Sequence, residues 1–122
     1  MFDHVGILVS DFTKSVQLYT KALEPLGYVL ASFDEKSRSA GFGKPDAPAL
    51  WLNHVEKKKT SGMHLAFPAA DRDAVRRFYE AALACGAKDN GAPGVREAYG
   101  PSYFAAFVLD LDGNNLEAVC LR

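Results

Sequence analysis

The side chains of this sequence best suited to chemistry are His4, His64 and Glu117. Two imidazoles and a carboxylate are the donors a divalent transition metal takes (Zn, Ni, Mn or Fe), with positions left over for water or substrate. Glu117 stands inside the otherwise apolar run Leu116–Leu121. A carboxylate there is costly to bury unless it is paired, protonated or bound to a cation. A lone histidine on a strand is more often solvated or hydrogen-bonded than metal-bound, so the case depends on whether the three converge. A second group, Arg96, Tyr99 and Tyr103, lies in the Gly- and Pro-rich stretch 91–103. It offers a bidentate cation and hydroxyls to an anionic or aromatic ligand. The plainer alternative is that the glycines and prolines shape a turn and the tyrosines pack within a hairpin.

Convergence is argued by an internal repeat. His4-Val5-Gly6-Ile7-Leu8-Val9 aligns with His64-Leu65-Ala66-Phe67-Pro68-Ala69 at an offset of 60, and the same offset pairs Asp11 with Asp71, Tyr19 with Tyr79, Ala22 with Ala82 and Leu23 with Leu83. The His, Asp and Tyr pairs make duplication a better explanation than generic α/β patterning. Each copy opens with a strand-like alternation and continues into a helix capped by Asp11 or Asp71. Pro25 and Gly27 end the first helix, and Gly86 ends the second. Strand-like runs follow at Tyr28–Asp34, Arg38–Gly43 and Ala49–Val55, and again near Lys88, at Tyr103–Asp110 and at Leu116–Leu121. Asp110-Leu111-Asp112-Gly113-Asn114 reads as a hairpin turn, and Glu56–Gly62 as a polar linker.

The order is βαβββ, repeated: an α+β chain forming a single domain over 1–122, with one module at about 1–58 and another at about 62–122. A helix covers one face of each sheet, and the free face calls for a partner. The expected solution is a curved, half-barrel-like sheet with the helices outside and a cavity within. Strand parity sends Val5, Ile7 and Val9 to the helix side and His4, Gly6 and Leu8 to the cavity. It likewise sends His64, Ala66 and Glu117 inward.

Composition narrows the function classes. The chain has 122 residues, of which 48% are hydrophobic, with 14 basic and 15 acidic side chains. The resulting net charge of −1 offers no basic field for nucleic acid or an anionic membrane. No run of apolar residues is long enough to span a bilayer, and no signal-peptide pattern is present. Cys85 and Cys120 sit among apolar neighbours, which fits buried thiols in a reducing cytoplasm.

The paired βαβββ units, His4 and His64 opening them, and the closing Asp110-Leu111-Asp112-Gly113-Asn114-Asn115-Leu116-Glu117 resemble the vicinal oxygen chelate superfamily of glyoxalases, extradiol dioxygenases, fosfomycin-resistance and bleomycin-binding proteins. The resemblance covers the whole chain and is specific for fold rather than for reaction. It implies His4, His64 and Glu117 as metal ligands, with Glu117 also catalytic. It implies a glyoxalase- or dioxygenase-like metalloprotein of lyase, isomerase or dioxygenase type that binds a small molecule through vicinal oxygens. One position departs from the pattern: where glyoxalases take a fourth ligand from the first module, Trp51 stands opposite Glu117, with Asn53 on the same face and His54 on the other. Indole cannot ligate a metal. Trp51, Asn53, Arg96, Tyr99 and Tyr103 are therefore read as substrate-binding residues. Trp51 also favours the alternative, a metal-free sequestering protein of the bleomycin-resistance kind, with Trp51, Tyr103 and Phe104 as stacking surfaces. A homodimer is expected in either case.

Overall fold

The structure is a computed structural model that describes residues 1–57 and 62–122. The middle of the expected linker, 58–61, lies outside the described residues. In chain order the elements are β1 (Val5–Val9), α1 (Phe12–Leu23), β2 (Val29–Asp34), β3 (Ser39–Lys44), β4 (Ala47–His54), β5 (His64–Pro68), α2 (Arg72–Ala84), β6 (Lys88–Val95), β7 (Phe104–Leu109) and β8 (Asn115–Cys120). Short 3-10 turns follow α1 and β6.

Both helices start where an aspartate satisfies the first free amides. Asp11 accepts from the Lys14 amide at 3.1 Å and Asp71 from the Ala74 amide at 2.7 Å. α1 buries Phe12, Ser15, Leu18, Tyr19, Ala22 and Leu23, and α2 buries Ala74, Val75, Phe78 and Ala82. In each case this is a stripe at helical spacing. Gly27 (φ 92°) turns the chain out of the first helical segment and Gly86 (φ 98°) out of the second, a backbone region that costs glycine nothing.

Each module contributes one four-stranded sheet, in the orders β1-β4-β3-β2 and β5-β8-β7-β6. The outer pairs β1–β4 and β5–β8 are parallel and the other neighbours are antiparallel. β6 is longer than its weak sequence signal suggests, because Lys88–Val95 pairs with β7 through two register shifts, around Gly91. Such irregularities accommodate glycines that would weaken an even ladder.

The two βαβββ modules are present, but the expected single curved, half-barrel-like sheet with helices outside is not. The sheets are separate, and among the described residues no ladder joins a strand of one to a strand of the other. The modules meet instead through their helices. α1 packs against α2, and helix-side residues of both modules, among them Ile7, Leu18, Leu52, Phe78, Val108 and Leu116, form one apolar cluster. Burying the helices' apolar stripes in one shared core takes them out of water. The consequence is that the sheet faces opposite the helices lie outside the shared core.

Polar contacts add to this junction. Asp112, fully buried, accepts from the Ser10 hydroxyl at 2.6 Å and from its amide at 3.1 Å. Tyr19 donates its hydroxyl to Asp110 at 2.5 Å. The Asp110 carboxylate also takes the amides of Asp112 and Asn114 and the side chain of Asn114. The turn between β7 and β8 is thus tied to the β1–α1 connection and to α1 of the other module. Burial first, and then the neighbouring Asp110 carboxylate, push the Tyr19 hydroxyl well above its ordinary pKa.

Candidate functional site

On the outer face of the second sheet a buried acid meets an exposed base. Alternation on β8 puts Leu116, Ala118 and Cys120 into the core and turns Glu117 outward. The Glu117 side chain is nonetheless only 3% exposed, whereas that of its neighbour His64, at the start of β5, is 51% exposed. His64 donates Nε2–H to Glu117 Oε1 at 2.9 Å, and the Tyr103 hydroxyl donates to Oε2. Both oxygens of the buried carboxylate are therefore satisfied, which meets its desolvation cost. The Tyr103 pKa is pushed up to about 12, chiefly by the hydrogen bond to Glu117, then by burial and by the Glu117 charge.

Around this pair lie the other residues expected on that face. Tyr99, just beyond β6, is exposed and sets its ring 5.2 Å from that of Tyr103. Phe107, which registers with Glu117 across β7–β8, lies 6.2 Å from the His64 ring. The Arg96 guanidinium lies 5.4 Å over the Phe107 ring, and the Arg96 amide bonds the Tyr103 carbonyl at 2.8 Å. Sequence spacing gave no sign of Phe107, because it takes part only through cross-strand register. Phe104, expected as a stacking surface, faces the core instead, beneath the guanidinium groups of Arg72 and Arg76. Parity on β7 explains this: Phe104, Ala106 and Val108 point to α2.

The first sheet presents a different outer face. Gly6 and Leu8 are exposed on it, and Trp51 and Asn53 share it through their register with them. The Trp51 indole lies against Gly41 of β3: a Cβ at Gly41 would come within 2.9 Å of Cη2 and Cζ3 of the ring. Asn53 accepts from the Ser39 hydroxyl at 3.1 Å. His54 falls on the opposite side and is largely buried, with Arg38 Nη1 at 3.1 Å from its Nε2.

His4 does not join His64 and Glu117. It is exposed at the start of the first sheet, with Nδ1 2.8 Å from Asp3. Among the described residues no group of three His, Cys, Asp or Glu side chains is gathered as a metal site. Within one chain, then, the donors fit a divalent cation only as far as two of three.

The comparisons agree with the fold. Residues 1–118 match the model of the Glyoxalase/Bleomycin resistance protein/Dioxygenase superfamily. The chain belongs to that superfamily. A glyoxalase/bleomycin resistance protein from Albidiferax ferrireducens is 26% identical, with 98% of each chain covered and a TM-score of 0.83. A putative glyoxalase from Bacillus halodurans is 25% identical, covering 98% of this chain and 95% of the other at a TM-score of 0.71. The fosfomycin resistance protein FosX from Mesorhizobium loti is similar in fold, at 19% identity and a TM-score of 0.71 over 98% and 91% of the two chains. No curated protein matches the sequence. Among the described residues of this superfamily member, no helix is long and apolar enough to cross a membrane.

Proposed function

We propose that two copies of the chain close a small-molecule site between the outer face of the first module of one copy and that of the second module of the other. In this site His64 and Glu117, with His4 from the second copy, hold a divalent transition metal (Zn, Ni, Mn or Fe). The observation that carries the reading is the His64–Glu117 contact: a carboxylate buried beside an open sheet face, sharing one proton with an exposed imidazole. His4 lies apart from them in its own chain, so a complete set of donors needs a second copy. Large apolar side chains left exposed near these faces, Leu8 and Tyr99, support burial by such a partner.

A metal bound there would supply Lewis acidity to two adjacent oxygens of a substrate. The chain's own groups do the rest. Glu117 takes up and returns a proton, Tyr103 and His64 orient it, and Trp51 and Asn53 form the facing wall. Arg96 and Tyr99 border the ligand from the second module. The reaction is of the glyoxalase or dioxygenase kind, as a lyase, isomerase or oxygenase. The free thiols Cys85 and Cys120 suit a cytoplasmic setting.

Complementation tests this reading. His4→Ala and His64→Ala copies each lack one donor, and elemental analysis should find both depleted of metal. Refolded together, mixed pairs regain one intact site in two, and metal content recovers. Failure to recover, in mixtures shown to exchange copies, would refute a shared site, and undiminished metal in either single variant would refute its ligand set.

A second reading is favoured by one observation, the indole of Trp51 packed against Gly41 at the position matching Glu117. In that reading the protein is a metal-free binder of antibiotic-type ligands that stack on Trp51. Divalent metals should raise the melting temperature in the first case and leave it unchanged in the second.

A further inference from the structure

We infer that Arg96 is the anchor for the carboxylate of a small organic acid bound on the outer face of the second sheet. The inference rests on the proposed function and names the class of molecule its site would take.

The guanidinium is held in a fixed place. It lies 5.4 Å over the Phe107 ring, and Nη2 donates to the Ala92 carbonyl at 2.6 Å. The space it fills is kept clear by two glycines of β6. A Cβ at Gly91 would lie 3.1 Å from Nη2 and 2.9 Å from Phe107 Cδ1, and a Cβ at Gly94 would lie 3.1 Å from Nη1. Gly94 has no positive φ, so what a side chain there would meet is the guanidinium rather than backbone strain. The register shifts around Gly91 bring this glycine-lined stretch over Phe107.

A cation positioned this closely is normally paired with an acid. Arg96 has none: among the described residues no carboxylate lies within 4.0 Å of it. Five N–H groups are present and the Ala92 carbonyl accepts from one of them, which leaves a planar fork of donors for a carboxylate. Phe107 has both the Arg96 guanidinium, at 5.4 Å, and the His64 ring, at 6.2 Å, beside its ring, and registers with Glu117. The anchor and the His64–Glu117 pair therefore stand one phenyl ring apart on the same face. A ligand that satisfies both carries a carboxylate at one end and, a few bonds away, polar oxygens that reach His64. That describes a small hydroxy or oxo acid.

Benzoate and its neutral counterpart benzamide are suitable probes, followed by amide chemical shifts in the full chain with metal removed by a chelator. Benzoate should bind at least tenfold more tightly than benzamide and shift Gly91, Gly94 and Arg96. Arg96→Gln should bring benzoate down to the benzamide level. Arg96→Lys, which keeps the charge but not the fork, should lose most of the difference. Equal binding of the two probes, or full benzoate binding by Arg96→Gln, overturns the inference. The two readings fail separately: a protein that takes up no metal can still bind benzoate through Arg96, and one indifferent to benzoate can still load metal at His64 and Glu117.

Discussion

Trp51 and Glu117 are counterparts. Trp51 registers with Gly6 across β1–β4, Glu117 registers with Ala66 across β5–β8, and Gly6 and Ala66 are themselves repeat mates. The duplication has thus placed an acid on the outer face of one module and an indole on that of the other. The two outer faces are chemically unlike, so a head-to-tail pairing sets the aromatic wall of one module across from the polar centre of the other.

Trp51 is the only tryptophan, so its fluorescence reports on that face alone. Its emission should shift to shorter wavelength as concentration is raised through the dimerisation range. Leu8→Arg, which puts a charge on the same face, should remove the shift and leave a monomer. Sedimentation run in parallel checks the assignment, since a dimer whose Trp51 emission never changes would be built on another surface.

Gly41→Ala should destabilise the chain by about 1–3 kcal/mol, the usual cost of overpacking. The added Cβ would meet Trp51 ring carbons at 2.9 Å and the Pro48 Cβ at 3.0 Å. With Trp51→Ala in the background the penalty should shrink, because the main clash is gone. Denaturant unfolding of the two single variants and the double variant measures the coupling.

Much of this was legible before the structure. The His4 and His64 repeat, the Asp11 and Asp71 caps and the placing of Glu117 on the sheet face away from its helix all follow from local periodicity, which a single strand or helix expresses by itself. The relation between the modules was not legible, because nothing in the spacing says whether the free sheet faces or the helix faces meet. The helices meet, and so His4 parts from His64 and Glu117. Phe104 was misplaced for a different reason: it and Tyr103 are read as stacking surfaces together, but neighbours along an extended chain point to opposite faces, and Phe104 takes the core side. Phe107 and the glycine bed under Arg96 depend on register between strands, which no single segment encodes.

Glu117→Gln should cost no more than about 1 kcal/mol of stability, since a neutral amide fills the same space and relieves the burial of a charge. The same change should abolish metal retention. A loss of several kcal/mol in thermal or denaturant unfolding would mark Glu117 as a structural residue.

Asp112→Ala should cost about 1.5–3 kcal/mol, the range for hydrogen bonds to a charged group, by stranding the Ser10 amide and hydroxyl at the module junction. Hydrogen exchange should show the loss at both ends of the contact, at Ser10 between β1 and α1 and in the β7–β8 turn. Protection lost in one module only would mean that the junction relies on the helices alone.

The buried Tyr19–Asp110 bond sets a limit on stability at high pH. The folded-state pKa of Tyr19 is raised well above the ordinary tyrosine value of 10.0, so folding favours the protonated phenol. The contribution is fully present below pH 10 and is lost as pH rises through the folded-state value, because the unfolded chain releases its proton first. Stability should therefore fall with rising pH above 10. In Tyr19→Phe the fall should be shallower, from a starting point lower by about 1–3 kcal/mol because Asp110 loses a donor. Tyrosinate absorbance gives a direct check: besides Tyr103, whose pKa is also raised, to about 12, one phenol of the wild type should ionise only together with unfolding, and that component should be missing from the variant. If Tyr19 titrates near 10 while the chain is still folded, then neither burial nor Asp110 governs it.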